Sequence, residues 1–404
     1  MKVLGYLGLT LLMRIFFLYL NEKFEFFERL GLDEYRYAIY QDASKLMMKK
    51  ANPYLEINYR YHIFYSFFTM LDINYANKIK IDFGKIFFIF IDCIIGALIF
   101  LCLKQKNKEE DYALKLSFLW LLNPISIWDS IIGNGNCIIA LLIILLIIFM
   151  HKNCIIISSI ILGIAIHFQF LMIIYILPVY LFYSGYSVKK KVQKIVILVK
   201  LIFPLLFVFI SIFILLINFF GYEYFINIIT KSLEFKLNFS IFNYIMYLSY
   251  DLNYYETFLI ISFLFIVVLI TLCSFKLKDD PSFCFTIITF IFISFYYQSS
   301  LEHLNILCAI LPIGISHISF NKKEAFLIII SEAIALFLHF KQTYFIEYQG
   351  KQYFRLIYVT SVLLFIIHSS TTIYLLREYN IDEKNMDSNA VKKEEIQPIK
   401  QKTE

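Results

Sequence analysis

Residues 137–150 read CIIALLIILLIIFM, and after three polar residues 154–168 read CIIISSIILGIAIHF. Neither run alternates with period two, as a half-buried strand would, and neither carries the polar stripe of a surface helix. Runs that are apolar all round belong to helices buried on every side, in protein or in hydrocarbon. Each is shorter than the ~20 residues that cross ~30 Å of hydrocarbon. Short spans are tolerated where broken helices pair around a protected cavity. The spacing predicts two such pairs, 113–130 with 137–150 and 154–168 with 170–185.

The pattern repeats in both directions. Apolar runs lie at 3–20, 82–103, 195–220, 256–275, 283–297, 303–319, 325–340 and 355–376. Composition agrees: 60% of residues are apolar, 17% are charged, and mean hydropathy is +0.71. A soluble chain carries about 45–50% apolar and about 25% charged residues. A water-soluble globule, a disordered chain and a disulfide scaffold are therefore excluded. The expected fold is an all-α polytopic membrane protein of about twelve transmembrane helices within residues 1–376, with residues 377–404 a disordered tail. The net charge of +6 is spread over short clusters between runs, so no nucleic-acid partner is expected. The seven cysteines fall in or beside apolar runs without metal-site spacing, so no metal site is expected.

Lysines declare a side. Lys104, Lys106 and Lys108, then Lys189–Lys191 and Lys194, then Lys276 and Lys278, then Lys322 and Lys323 all follow alternate spans. The intervening short loops 131–136 and 298–302 carry neither Lys nor Arg. Positive loops stay in the cytosol. Both termini are then cytosolic, and segments 21–81 and 221–254 are lumenal. The sequon Asn238-Phe239-Ser240 falls in the second of these. The C-terminal Lys400-Gln401-Lys402-Thr403-Glu404 has the form of a dilysine retrieval signal, so the expected location is the endoplasmic reticulum membrane.

Segment 21–81 is too long for a connector. Ile39, Ala43, Leu46 and Met47 share one helical face while Asp42, Lys45 and Lys49 lie elsewhere, which predicts an amphipathic helix at the membrane interface, ended by Asn52-Pro53. Such a helix, flanked by acids and bases, suits a lipid-linked substrate at headgroup depth. Arg14, Asp92, His167, Lys200 and Glu332 fall inside spans, where charge is expensive; Asp92 or Glu332 is expected to pair with Arg14 or Lys200. His167 reads as a hydrogen-bonded packing residue. No P-loop, Rossmann fingerprint, HExxH or GxSxG motif occurs.

Several blocks carry a family resemblance. They are Arg14-Ile-Phe-Phe-Leu-Tyr19; Tyr37 with Gln41-Asp42-Ala43; Asn52-Pro53-Tyr54 with Tyr59-Arg60-Tyr61; and Phe83-Gly84-Lys85 with Asp92. Trp120-Leu-Leu-Asn-Pro124, Gly133-Asn134, and Gly163 through Pro178 around His167-Phe168 continue the series, with a fainter echo at 296–312. In order and spacing the chain resembles the PIG-M family, glycosyltransferases of the GT-C class. It departs from the family pattern at points. The positions of the family's Asp-x-Asp are here Glu34 and Arg36, with Asp33 adjacent. The Arg before Gly133 is Ile132, the Lys after Phe168 is Gln169, a later Pro is Met172, and TSQY becomes Ser300-Leu301-Glu302-His303.

The resemblance implies a GT-C-type bundle that transfers mannose from dolichyl-phosphate mannose to glucosaminyl-phosphatidylinositol in the lumen, forming an α-1,4 linkage with inversion. Inversion suits one displacement with a carboxylate base. The base expected first is Glu34, then Asp33, with Asp42 supporting the loop. Arg60, His62 or His303 would stabilise the leaving phosphate. Tyr59, Tyr61, Asn134 and His167 complete the expected substrate contacts. The donor is a substrate; no cofactor and no metal are required. A small accessory membrane subunit of the PIG-X or Pbn type is implied as partner. The alternatives are transfer to a lipid-linked oligosaccharide, and a non-catalytic scaffold or transporter.

Overall fold

The computed structural model describes residues 2–24, 35–57, 59, 61–75, 82–106, 108–187, 191–227, 238–242, 255–318, 321–347 and 349–400. Among them secondary structure is helical throughout. The chain divides into two compact units: Met1–Asn238 with Val267–Thr289 and Ser300–Ile313, and Phe239–Ile266 with Phe290–Ser299 and Gly314–Glu404.

In the first unit α1 is Lys2–Phe24 and α2 is Tyr35–Met48. Then come the single turn α3 (Pro53–Glu56), α4 (Phe64–Tyr75), α5 (Phe83–Gln105), α6 (Glu110–Leu121), α7 (Pro124–Ile132), α8 (Cys137–His151), α9 (Ile155–Phe168), α10 (Ile176–Ser187) and α11 (Lys191–Phe220). Helix α5 is the hub. Its Phe88, Ile89, Ile95, Ile99 and Leu103 are buried, and it packs on α1, α4, α6, α7 and α8.

The run expected as one span at 113–130 is two helices. Asn123 explains the break: its side chain accepts from the Ile125 N–H at 2.8 Å and Pro124 takes the first helical position of α7. Proline has no N–H to extend α6 and is pre-set to begin a new helix. Asn52-Pro53 works the same way, capping α3 as well as closing the linker after α2. Helix α7 ends at Gly133 with φ 82°, where a side chain would run into the Tyr37 ring. The φ and the contact both require glycine there.

Inside the unit, Arg14 and Asp92 form the expected ion pair at 2.5 Å, with both side chains almost fully buried. Arg14 also donates to the Ser130 and Ser126 hydroxyls and to the Ser126 and Leu121 carbonyls. Trp120 donates to the Asp92 carbonyl at 3.0 Å. These bonds offset much of the cost of burying the pair, although Arg14 Nε and Asp92 Oδ1 are buried with no hydrogen-bond partner among the described residues. Lys200 is exposed on α11 and takes no part in such a pair among the described contacts. Helix α9 approaches α11 closely: Gly163 lies against the Leu205 backbone, and the Ser159 hydroxyl donates to the Leu201 carbonyl, one turn before Pro204.

Helices α12 (Tyr255–Lys276), α13 (Pro281–Phe295) and α14 (Leu301–Gly314) follow, then α15 (Lys322–Glu347) and α16 (Phe354–Lys400). In the second unit α15 packs on α16. Glu332 meets His368 at 2.9 Å, not Arg14 or Lys200, and His339 meets Thr360 at 3.2 Å. Helix α16 runs as backbone helix to Lys400, into residues for which the sequence predicts no packed structure. Asn238 and Ser240 of the sequon are buried, so a glycan there would have to displace packed neighbours.

Among the described residues, Phe83–Gln105, Val192–Phe220 and Phe354–Asn380 are long and apolar enough to cross a membrane, and six shorter apolar helices accompany them. The described residues are all helix or connecting turn, and the protein is a multi-pass membrane protein. The large apolar side chains of α11 point outward, Phe203, Phe207 and Phe219 among them, as a lipid-facing helix requires.

Candidate functional site

Helix α2 buries Tyr37, Tyr40, Ala43 and Ser44, a face rotated toward the tyrosines from the one expected. The tyrosines win because each hydroxyl finds a partner inside. Tyr37 donates to Asp72 of α4, whose other oxygen accepts from the Gly84 N–H at 3.2 Å. Tyr40 donates to the Asn134 carbonyl at 2.9 Å. Lys85 pairs with Asp82 at 2.9 Å and lies 5.1 Å from the Tyr37 ring. Burial raises the Asp72 carboxyl above the ordinary range, and the Tyr37 hydroxyl pulls against that rise.

A second buried polar group lies where α7 runs into the turn before α8. Asp129, 2% exposed, accepts from the side-chain amides of Asn134 at 3.1 Å and Asn136 at 2.7 Å through one oxygen. Its other oxygen accepts from the Asn305 amide of α14 at 3.0 Å. That bond fixes the orientation of Asn305, so its Oδ1 is an acceptor, buried and without a hydrogen-bond donor among the described residues. A buried acceptor of this kind calls for a hydroxyl or a water.

Arg36, in the first turn of α2, forms an ion pair with Glu302, in the first turn of α14. The guanidinium also lies 5.9 Å from the Tyr61 ring. Burial works against the Arg36 charge, but the field of the Glu302 carboxylate more than restores it. A tyrosine cluster continues from there: Tyr40 stacks on Tyr65 at 5.2 Å and meets Tyr61 edge-on at 5.2 Å, and Tyr54 donates to the Tyr61 carbonyl at 3.0 Å.

His62 and His167 meet at 3.0 Å. The Phe64 N–H donates to His62 Nδ1 at 3.2 Å, so the proton of neutral His62 sits on Nε2 and is donated to His167 Nδ1. Burial, then the neighbouring His167, pushes His62 down to about 3. At neutral pH it offers a hydrogen bond and no charge. His167 is thus hydrogen-bonded, as its placement on an apolar run predicts.

Asn134 falls in the Asp129 centre, and Tyr59 and Tyr61 border it through the tyrosine cluster. His303 lies in the first turn of α14, its Nδ1 accepting from the Ser300 N–H at 3.1 Å. Asp42 is exposed and paired with Lys45 at 2.8 Å. Glu34, Asp33 and Arg60 lie outside the described residues. Sequence reasoning missed Asp129, Asn136 and Asn305. The available signal was a carboxylate at the end of an apolar run, four residues before Gly133 and its glycine-rich turn.

A carboxylate, three amides, a guanidinium and tyrosine faces brought together at the ends of membrane helices are the groups that hold a polyhydroxylated ligand beside a bilayer. The profile of the family described as Mannosyltransferase (PIG-M) matches residues 130–376, and the chain belongs to that family. GPI mannosyltransferase 1 of Kluyveromyces lactis is 35% identical over 189 residues, 46% of this chain and 46% of that protein. The protein of the same name from Candida albicans is 36% identical over 168 residues, 39% of this chain and 42% of its own. The match thus spans less than half the length of these two. GPI alpha-1,4-mannosyltransferase I, catalytic subunit, of Danio rerio is 21% identical over 363 residues, 87% of this chain and 90% of that protein.

Proposed function

We propose that this chain transfers mannose from dolichyl-phosphate mannose to glucosaminyl-phosphatidylinositol, adding the first, α-1,4-linked mannose of a GPI anchor at the lumenal face of the endoplasmic reticulum. The observation that carries the reading is the Asp129 centre, with its unsatisfied Asn305 acceptor beside the Arg36–Glu302 pair. Family membership and the activity for which the Danio rerio relative is named support it.

In the reaction the acceptor hydroxyl oxygen attacks the anomeric carbon as the bond from that carbon to the phosphate oxygen breaks. The hydroxyl proton passes to a carboxylate, and dolichyl phosphate leaves with the bonding pair. Glu34 is the proposed base, with Asp33 the second candidate. Asp42, paired with Lys45, supports α2. Arg60 and His303 are the proposed partners of the leaving phosphate, and Tyr59, Tyr61 and Asn134 of the sugar. His62 and His167 brace the tyrosine cluster through their mutual hydrogen bond. The scheme needs no metal. The proposed topology has about twelve spans, cytosolic termini, lumenal segments 21–81 and 221–254, and a small accessory subunit of the PIG-X or Pbn type.

Expression in cells lacking PIG-M, with the accessory subunit, tests the reading. Restored GPI-anchored protein at the surface is expected. No restoration from correctly located protein would overturn it and favour another acceptor or a non-catalytic role.

A further inference from the structure

We infer that Glu302 is a positioning residue for the transfer reaction and acts through Arg36, which it holds at the first turn of α2; this rests on the reading that the Asp129 centre takes the sugar. The geometry is a closed triangle of three helical elements. Tyr40 of α2 donates to the Asn134 carbonyl of the α7–α8 turn at 2.9 Å. Asn305 of α14 donates to Asp129, which lies in α7 just before that turn, at 3.0 Å. The Arg36–Glu302 ion pair is the third side and joins α14 back to α2. Arg36 and Tyr40 are four residues apart, and Glu302 and Asn305 three, so each pair shares one helical face.

Electrostatics give Glu302 a second reason to be acidic. The N-terminal turns of α2 and α14 meet at this pair, and both ends carry partial positive charge. A guanidinium in the first turn of α2 is opposed by its own helix. The Glu302 carboxylate offsets that opposition and is itself favoured by the first turn of α14. Without its charge, Arg36 has Asp129 as a remaining carboxylate in its field. Arg36 would then compete with the three asparagine amides for Asp129, and the wall of the site formed by α2 would shift. Displacements near 1 Å cost on the order of a hundredfold in rate with little change in binding.

The test uses the full chain in membranes with its accessory subunit, dolichyl-phosphate mannose and glucosaminyl-phosphatidylinositol. Glu302→Gln, Glu302→Arg and Arg36→Glu are each expected to lower kcat by about tenfold or more, with KM for the donor within about threefold. The double exchange R36E/E302R restores the pair with its charges reversed and is expected to recover about tenfold over the worse single variant. A double variant no better than its singles, or Glu302→Gln with full kcat, overturns the inference. Amide hydrogen exchange across residues 35–48 is read in parallel. Faster exchange in Glu302→Gln, reversed in the double exchange, is expected whether or not the wild-type chain transfers mannose. Unchanged exchange overturns the positioning role; a wild-type chain without transferase activity overturns the functional reading.

Discussion

Asp129 shows what a single buried carboxylate organises. Three amides from two parts of the chain converge on it. Asp129→Asn keeps the shape but sets donors against donors, so a loss of about 1–3 kcal/mol is expected in thermal unfolding of the solubilised protein, with transfer lost as well. Glu34→Gln is expected to abolish transfer at normal expression; equal activity in Glu34→Gln and Asp33→Asn would remove Glu34 as the base. His62 gives a pH dependence of definite sign. Its value of about 3 lies below the ordinary 6.5, so the unfolded chain takes up a proton that the folded site refuses. The stability it contributes is full above about pH 6.5 and falls as pH drops toward about 3, by at most about 1.4 kcal/mol per unit. Unfolding temperatures measured from pH 7.5 downward should show a slope that His62→Asn reduces; an identical slope in the variant would refute the assignment.

Among elements, the α7–α8 turn depends most narrowly on sequence. Gly133→Ala forces a left-handed backbone on alanine and drives its Cβ into Tyr37, so a cost of about 2 kcal/mol or more is expected in unfolding measurements. Apolar runs made the helices of this region legible, because hydrocarbon selects composition directly. Asn123-Pro124 was quoted for its resemblance, yet its physical effect, ending one helix and starting the next, had to be seen in the fold. The Arg14–Asp92 pair was legible because two opposite charges in separate spans have few places to go. The Asp129 centre was not. Its partners are uncharged amides, and Asn305 lies 176 residues away, a distance no local pattern crosses. The buried face of α2 was misjudged for a related reason. The expected face was drawn through Ile39, Ala43, Leu46 and Met47 and left the tyrosines out, whereas Tyr37 and Tyr40 are buried with their hydroxyls hydrogen-bonded to Asp72 and Asn134.

On the scale of the whole molecule, sidedness is the property to measure. A single cysteine placed at residue 28 is expected to react with an impermeant thiol reagent only after the lumenal face is opened. Labelling of sealed microsomes from outside would invert the topology. The buried Arg14–Asp92 pair also has a consequence for biogenesis. Arg14 is synthesised 78 residues before Asp92. Until α5 is made, the first helix must hold an uncompensated guanidinium, and it has to dwell at the lateral exit of the translocon or slip back. Nascent chains arrested before residue 92 should therefore be extracted by alkali, and those arrested well past Ser130 should resist.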